Sequence, residues 1–227
     1  MSSDRGQPAE PQELLWLCEQ LWRVGGVQFG DFSLGRTVRN SPVYLNPKLL
    51  ISQPATLARV ASLIAGELQM AMVRRKQQVA EFDVIAGVPI GGLHVATALS
   101  LDLRIPLLYA RPEPHLDDHE RPHIEGIYRP GQTALIVDDL AAGGSSLVET
   151  AEQLRRAGLF VADAVVLVDR EQGAHRRLAE MAINLHPIIT LDVLLTALRE
   201  AGHITTADFQ QSLRYLDREG ESRSEFD

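Results

Sequence analysis

Five short, mainly apolar runs constrain this chain more than any other feature: Phe82–Ala86, Ile105–Tyr109, Thr133–Val137, Val161–Val168 and Ile183–Ile189. Helical patterns separate them near Leu93–Leu101, Leu147–Ala157 and His175–Met181. Strands that stay apolar on both faces and alternate with helices predict an α/β fold, with a central, mostly parallel sheet flanked by helices. Upstream, Leu14, Leu15, Leu17, Leu21 and Trp22 recur at helical spacing, so a first helix to about Val24 is expected, ended by Gly25-Gly26. Phe29 to Tyr44 reads as two short strands. Pro54 to about Gln78 reads as a helix with Arg74-Arg75-Lys76 in its last turn, and Leu191–Arg199 and Thr206–Leu216 read as closing helices. The segment that breaks the pattern is Arg111–Tyr128, too long and polar for a plain connection and therefore expected to be a mobile loop.

A length of 227 residues suits one domain, expected over 13–216, with flexible tails at 1–12 and 217–227, the second acidic. Net charge is −8, of which residues 1–13 and 217–227 carry −5. The remaining −3 equals the charge of Ile105–Tyr128, where five acids face two arginines. An acidic chain without a basic stripe argues against nucleic acid as a partner. A lone cysteine, Cys18, forms no internal disulfide and suits a reducing compartment. The uncharged run Val84–Leu101 contains Gly87, Pro89, Gly91 and Gly92, which fits strand, turn and helix better than a membrane span. A cytoplasmic protein without a membrane partner is expected.

The strongest local signal is Ala134-Leu135-Ile136-Val137-Asp138-Asp139-Leu140-Ala141-Ala142-Gly143-Gly144-Ser145-Ser146. It reads as a buried strand ending in two carboxylates, then a glycine-rich turn opening a helix. Ligands of open α/β sheets bind at the carboxyl ends of strands, and such a turn aims free backbone N–H groups at a helix start. That makes a phosphate cradle, with Asp138 and Asp139 able to take hydrogen bonds from two hydroxyls or to hold hydrated Mg²⁺. The competing reading makes Ser146 and Glu149 a capping box with Ser145 near the N-cap. No G-x-x-x-x-G-K-[ST] occurs, and Gly87-Val88-Pro89-Ile90-Gly91-Gly92 is not G-x-G-x-x-G, so a nucleoside-triphosphatase is excluded.

This strand, acid pair and turn resemble the phosphoribosyl pyrophosphate motif of type I phosphoribosyltransferases. Four more stretches narrow the likeness to orotate phosphoribosyltransferase, especially the domain found in UMP synthase: Phe29–Leu34, Phe82–Pro89, Ile124–Gly126, and Val165 through Asp169-Arg170-Glu171-Gln172-Gly173. The resemblance runs from about Phe29 to Ile204. It implies the type I fold with a small N-terminal hood, a homodimer, a role in pyrimidine nucleotide biosynthesis, and Mg²⁺ carried in by phosphoribosyl pyrophosphate. Orotate and phosphoribosyl pyrophosphate would become orotidine 5′-monophosphate and pyrophosphate. Carried over by position, Asp138 and Asp139 would hold the ribose hydroxyls, and Ala142, Gly143, Gly144, Ser145 and Ser146 the 5′-phosphate. Gly87, Gly91 and Gly92 would lie beside the pyrophosphate, Arg111 would be the loop's catalytic cation, and Arg170 would pair with the orotate carboxylate. No dedicated protein metal site is expected, and His115, His119 and His123 are read as solvated loop histidines.

The departures from the family pattern fall on cations. Where family members carry lysines in the mobile loop after the arginine kept here as Arg111, this chain has Pro112 and His115, and the loop is one residue longer. The family's hood lysine aligns with Gly35 or Arg36, and the turn threonine is Ala142. Loop cations act on charge that develops as pyrophosphate leaves, and one such donor is worth on the order of 10²–10³ in rate. Two functions fit: a weak or non-catalytic relative that binds a nucleotide, an orotate-type ligand or a protein partner, and an active enzyme in which Arg36, Arg39 or Arg129 replaces the missing charge. The convergence of the changes on one chemical role favours the first.

Overall fold

The computed structural model describes residues 11–34, 38–74, 78–111 and 123–224. Its core is a six-stranded sheet built from β3 (Val84–Gly87), β4 (Leu107–Ala110), β5 (Ile124–Glu125), β6 (Thr133–Ala141), β7 (Phe160–Asp169) and β8 (Asn184–Thr190) in the order β5-β4-β3-β6-β7-β8. All neighbours run parallel except β5, which pairs antiparallel with β4. Two-residue alternation explains why the strands are apolar at successive positions. Ile85, Val137, Val165 and Leu167 enter one buried cluster, whereas Val84, Ala86, Ile136 and Val166 enter another. Each face of the strands is therefore covered, and neither face tolerates a polar repeat.

The first cluster is closed by α1 (Pro11–Arg23), α2 (Pro54–Val73), α3 (Gly91–Leu103), α6 (Leu191–Glu200) and Phe209 of α7 (Thr206–Ser224). The second is closed by α4 (Ser145–Arg156) and α5 (Ala174–Glu180) through Leu147, Ala151, Leu154, Ala174 and Leu178. β1 (Val27–Leu34) and β2 (Val38–Leu45) form a separate antiparallel hairpin, the expected hood, which buries Val27, Val43 and Leu45 in the first cluster. α2 is apolar enough for a membrane span by length and composition, yet its Val60, Ala61, Ile64 and Leu68 are core residues facing the rest of the fold.

Several boundaries differ from expectation for local reasons. α2 stops at Val73, not Gln78, because the chain folds back and the Gln78 N–H caps the Ala71 carbonyl at 3.0 Å. Arg74 therefore stands just past the helix, and Arg75 and Lys76 lie outside the described residues. The backbone of α7 runs on to Ser224, so residues 217–224, expected as tail, continue a helix rich in helix-favouring Arg and Glu. At the start, α1 begins at Pro11. The 3-10 helix Pro47–Ser52 was not anticipated at all, nor was the two-residue β5 inside the expected loop. Pro112, His115, His119 and Arg36 lie outside the described residues.

At the amino-terminal edge of the sheet, Asp163 of β7 accepts hydrogen bonds from His186 Nε2 at 2.7 Å, the Ala80 N–H at 3.0 Å and Asn184 Nδ2 at 3.2 Å. Burial pushes its pKa up, but these donors outweigh burial and hold it below the ordinary value. A cavity of about 530 Å³ lies beside it, lined by Gln78, Glu81 and Asn184 among others. It is at the opposite end of the strands from the acid pair.

Candidate functional site

Strand order decides where a ligand sits. From β3 the chain goes to β4 on one side, then returns to β6 on the other, so the sheet's direction of winding reverses between β3 and β6. The crevice at the carboxyl ends of those two strands is the default ligand position of such a sheet. Asp138 and Asp139 lie at the end of β6, and Gly87 to Gly92 form the turn from β3 into α3.

The two turns touch. The Val88 N–H donates to the Val137 carbonyl at 3.0 Å. A Cβ on Gly92 would sit 2.6 Å from the Val137 carbonyl oxygen and 2.8 Å from Asp138 Cα, and one on Gly91 would collide with the Asp139 carboxylate. Only glycine permits this approach, so the packing of β3 on β6 accounts for both residues. Gly87 is comparably confined, with a Cβ meeting Ala96 at 2.9 Å.

Both carboxylates are buried. Asp138 Oδ1 accepts the Asp139 N–H at 2.8 Å, and Asp139 Oδ2 accepts no hydrogen bond. Burial, and after it the neighbouring Asp139 charge, raises the Asp138 pKa well above its ordinary value. Lys48 of the 3-10 helix stands 3.7 Å from Asp139 Oδ2. Two acids held in this state are costly, which is the signature of a site built for hydroxyl or cation ligands.

The glycine-rich turn follows directly. Gly144 is the N-cap of α4 at φ +79°, and no side chain caps the helix. The competing reading, a capping box from Ser146 and Glu149, does not hold: Gly144 is the cap and Ser145 is already the first helical residue. A Cβ on Gly144 would press on Ala174 Cα at 3.0 Å, whereas one on Gly143 would meet nothing within 4 Å. The turn is thus packed on one side and open on the other, with the first N–H groups of α4 unpaid within the helix. Ser145 Oγ accepts from Arg177 Nη1 at 2.7 Å, and Ser146 is exposed.

Arg170 follows β7, beside the turn: its N–H donates to the Ala141 carbonyl at 2.9 Å, and the Ala174 N–H donates to the Ala142 carbonyl at 3.0 Å. Its side chain is buried, with Nη2 donating to Ser41 Oγ of β2 at 3.2 Å. A surface ion pair, the ordinary role of a lone arginine, is excluded. Gly87, Gly91, Gly92, Asp138, Asp139, Ala142 to Ser146 and Arg170 therefore share one edge of the sheet. Arg111, after β4, is on the same edge, but its guanidinium pairs with Glu125. Three residues escaped the sequence analysis: Lys48, Ser41 and Arg177. Of these Lys48 alone carried a signal, as one of only two lysines in a chain with twenty arginines.

Among the described residues no group of three or more His, Cys, Asp or Glu converges to hold a metal. An ion carried by a diphosphate ligand is a different case, because the phosphates would complete its oxygen shell and Asp139 Oδ2, buried and without a hydrogen bond, is a hard donor of the right kind.

The family model for the phosphoribosyl transferase domain matches residues 52–186. Uridine 5′-monophosphate synthase of Bos taurus is 37% identical over 196 residues, covering 86% of this chain and 39% of that protein. Orotate phosphoribosyltransferase of Chlamydia caviae is 33% identical over 189 residues, covering 83% of this chain and 87% of that protein. The structure of Leishmania donovani UMP synthase superposes with a TM-score of 0.76 at 33% identity, covering 90% of this chain and 42% of that one. The chain thus spans about two-fifths of the UMP synthases it matches and most of the length of a single-function relative. The family model spans more than half of the chain and the orotate phosphoribosyltransferase relative is matched over most of its length, so the chain belongs to the phosphoribosyltransferase domain family, in its orotate phosphoribosyltransferase branch.

Proposed function

We propose that this chain binds phosphoribosyl pyrophosphate and orotidine 5′-monophosphate, and transfers the phosphoribosyl group to orotate slowly, with the ribose-phosphate half of the site intact and the diphosphate half weakened. The observation that carries this reading is the buried Asp138-Asp139 pair running straight into the open Gly143-Gly144 turn. In the reaction, a ring nitrogen of orotate gives up its proton to solvent or to the departing pyrophosphate and bonds to the anomeric carbon while that carbon's bond to the diphosphate oxygen breaks, leaving orotidylate and pyrophosphate. Asp138 and Asp139 accept hydrogen bonds from the ribose hydroxyls. The N–H groups of the turn and first helical residues hold the 5′-phosphate. Arg170, fixed by Ser41, offers two parallel donors to the orotate carboxylate. Mg²⁺ arriving with the diphosphate would neutralise part of its charge, and Asp138 and Asp139 are the residues that would hold it.

What weakens the leaving-group half is charge. Arg111 is engaged by Glu125, and lysines are replaced by Pro112 and His115 in the segment that follows. An ordinary histidine is mostly neutral at pH 7. The protein is further proposed to act as a cytoplasmic homodimer, which sedimentation would test.

The decisive experiment follows orotate consumption with phosphoribosyl pyrophosphate and Mg²⁺, alongside calorimetric titration of each substrate and of orotidylate. Binding of orotidylate with turnover far below the ordinary enzyme range of about 1–10³ per second is the expected result. Turnover inside that range overturns the weakened half, and failure to bind orotidylate overturns the site.

A further inference from the structure

We propose that Lys48 is the diphosphate-binding cation of this site, stored on Asp139 until a ligand arrives. The proposal rests on the function proposed above. Asp139 Oδ2 is buried and accepts no hydrogen bond, and the ammonium of Lys48 stands 3.7 Å from it, beyond hydrogen-bond length. The pairing is therefore one of charge alone. Lys48 is half exposed, so the attraction is screened and costs little to exchange.

The position matters as much as the charge. The Asp139 carboxylate occupies the space that Gly91 leaves by lacking a Cβ, and Gly91 opens α3 immediately after the β3 turn. An ammonium beside that carboxylate stands at the seam between the β3 turn and the end of β6. Its backbone is anchored, since Pro47 and Leu50 on either side are buried. Its flexible stem lets the charge swing across the seam while the anchor stays. When ribose hydroxyls or a ligand-borne cation take over the carboxylates, the ammonium loses its counter-ion and gains two phosphates. In a chain with lysines at only two positions, this one supplies from the hood side the charge that the loop lacks.

The two ligands separate this role from mere support of Asp139, because orotidylate shares the ribose hydroxyls and 5′-phosphate but has no diphosphate. Calorimetry on the full chain should show Lys48→Ala weakening phosphoribosyl pyrophosphate by about tenfold or more, the loss of one charge-assisted contact, and orotidylate by less than about threefold. Lys48→Arg should restore the first affinity. Equal weakening of both ligands overturns the proposal, since Lys48 then only positions Asp139, and unchanged affinity for both overturns it too. Wild-type protein that binds neither ligand defeats the proposed function instead. Lys48→Gln provides a second variant should Lys48→Ala fold poorly, as judged by its thermal midpoint.

Discussion

The end of β6 and the root of the loop after β4 lie on the same sheet edge, yet they are built by different physics. At β6 the functional groups are consequences of packing: Gly91 and Gly92 touch Asp139 and Asp138, Gly144 touches Ala174, and Arg170 is buried against Ser41. At the loop root the functional group is an exposed charge, Arg111, neutralised by another exposed charge, Glu125. A residue locked by packing cannot change without disturbing the fold, whereas an exposed charge is lost at almost no cost in stability. Ala142 is an intermediate case inside the turn itself, whereas Pro112 and His115 lie outside the described residues.

The largest test rewrites the cheap half. Replacing Pro112 and His115 together by lysine should raise the transfer rate by about 10²-fold, the worth of a donor aimed at developing charge. Steady-state orotate consumption measures it, and no change in a folded variant would place the defect elsewhere. Next comes the costly half: Gly92→Ala forces backbone against backbone and should cost about 1–3 kcal/mol in urea unfolding while weakening orotidylate. A variant as stable as wild type would show that the two turns are not locked together.

Asp138→Asn separates stability from binding within the packed half. Below the unfolded carboxylate value of about 3.9, both states hold the Asp138 proton and nothing is lost. As pH rises toward the elevated native pKa, the unfolded chain releases a proton that the native state keeps, so stability falls, and above that pKa the penalty is constant. The asparagine variant should therefore melt a few degrees higher at neutral pH, about 2–4 °C for each kcal/mol relieved, and bind orotidylate about tenfold more weakly. A lower melting point would mean that the charge is already compensated. The smallest effect belongs to the loop root: Glu125→Gln releases Arg111 and should tighten pyrophosphate by about twofold, within reach of calorimetry.

What could be read from the sequence follows the same division. The strand, acid pair and turn of β6 form one contiguous string, and each residue's role depends on neighbours in the chain, so Asp138, Asp139 and Gly143–Ser146 were legible directly. Arg170 was legible only through its motif, since its burial depends on Ser41, 129 residues away. Lys48 could be noticed only for its rarity as a lysine, since a 3-10 helix leaves no periodic pattern and its partner comes from β6. The early end of α2 was equally hidden, set by a single fold-back from Gln78 to Ala71 rather than by any breaking residue.

The stem of the loop carries a last consequence. The Arg111 N–H donates to the His123 carbonyl at 2.8 Å, and Gln153 of α4 donates to the Arg111 carbonyl at 3.2 Å. Entry and exit are thus tied together, and tied to the helix that begins at the phosphate turn. The entropy of closing a loop grows only with the logarithm of its length, about 0.6 kcal/mol for a doubling. With both ends fixed in this way, an added residue between Arg111 and His123 costs the fold little.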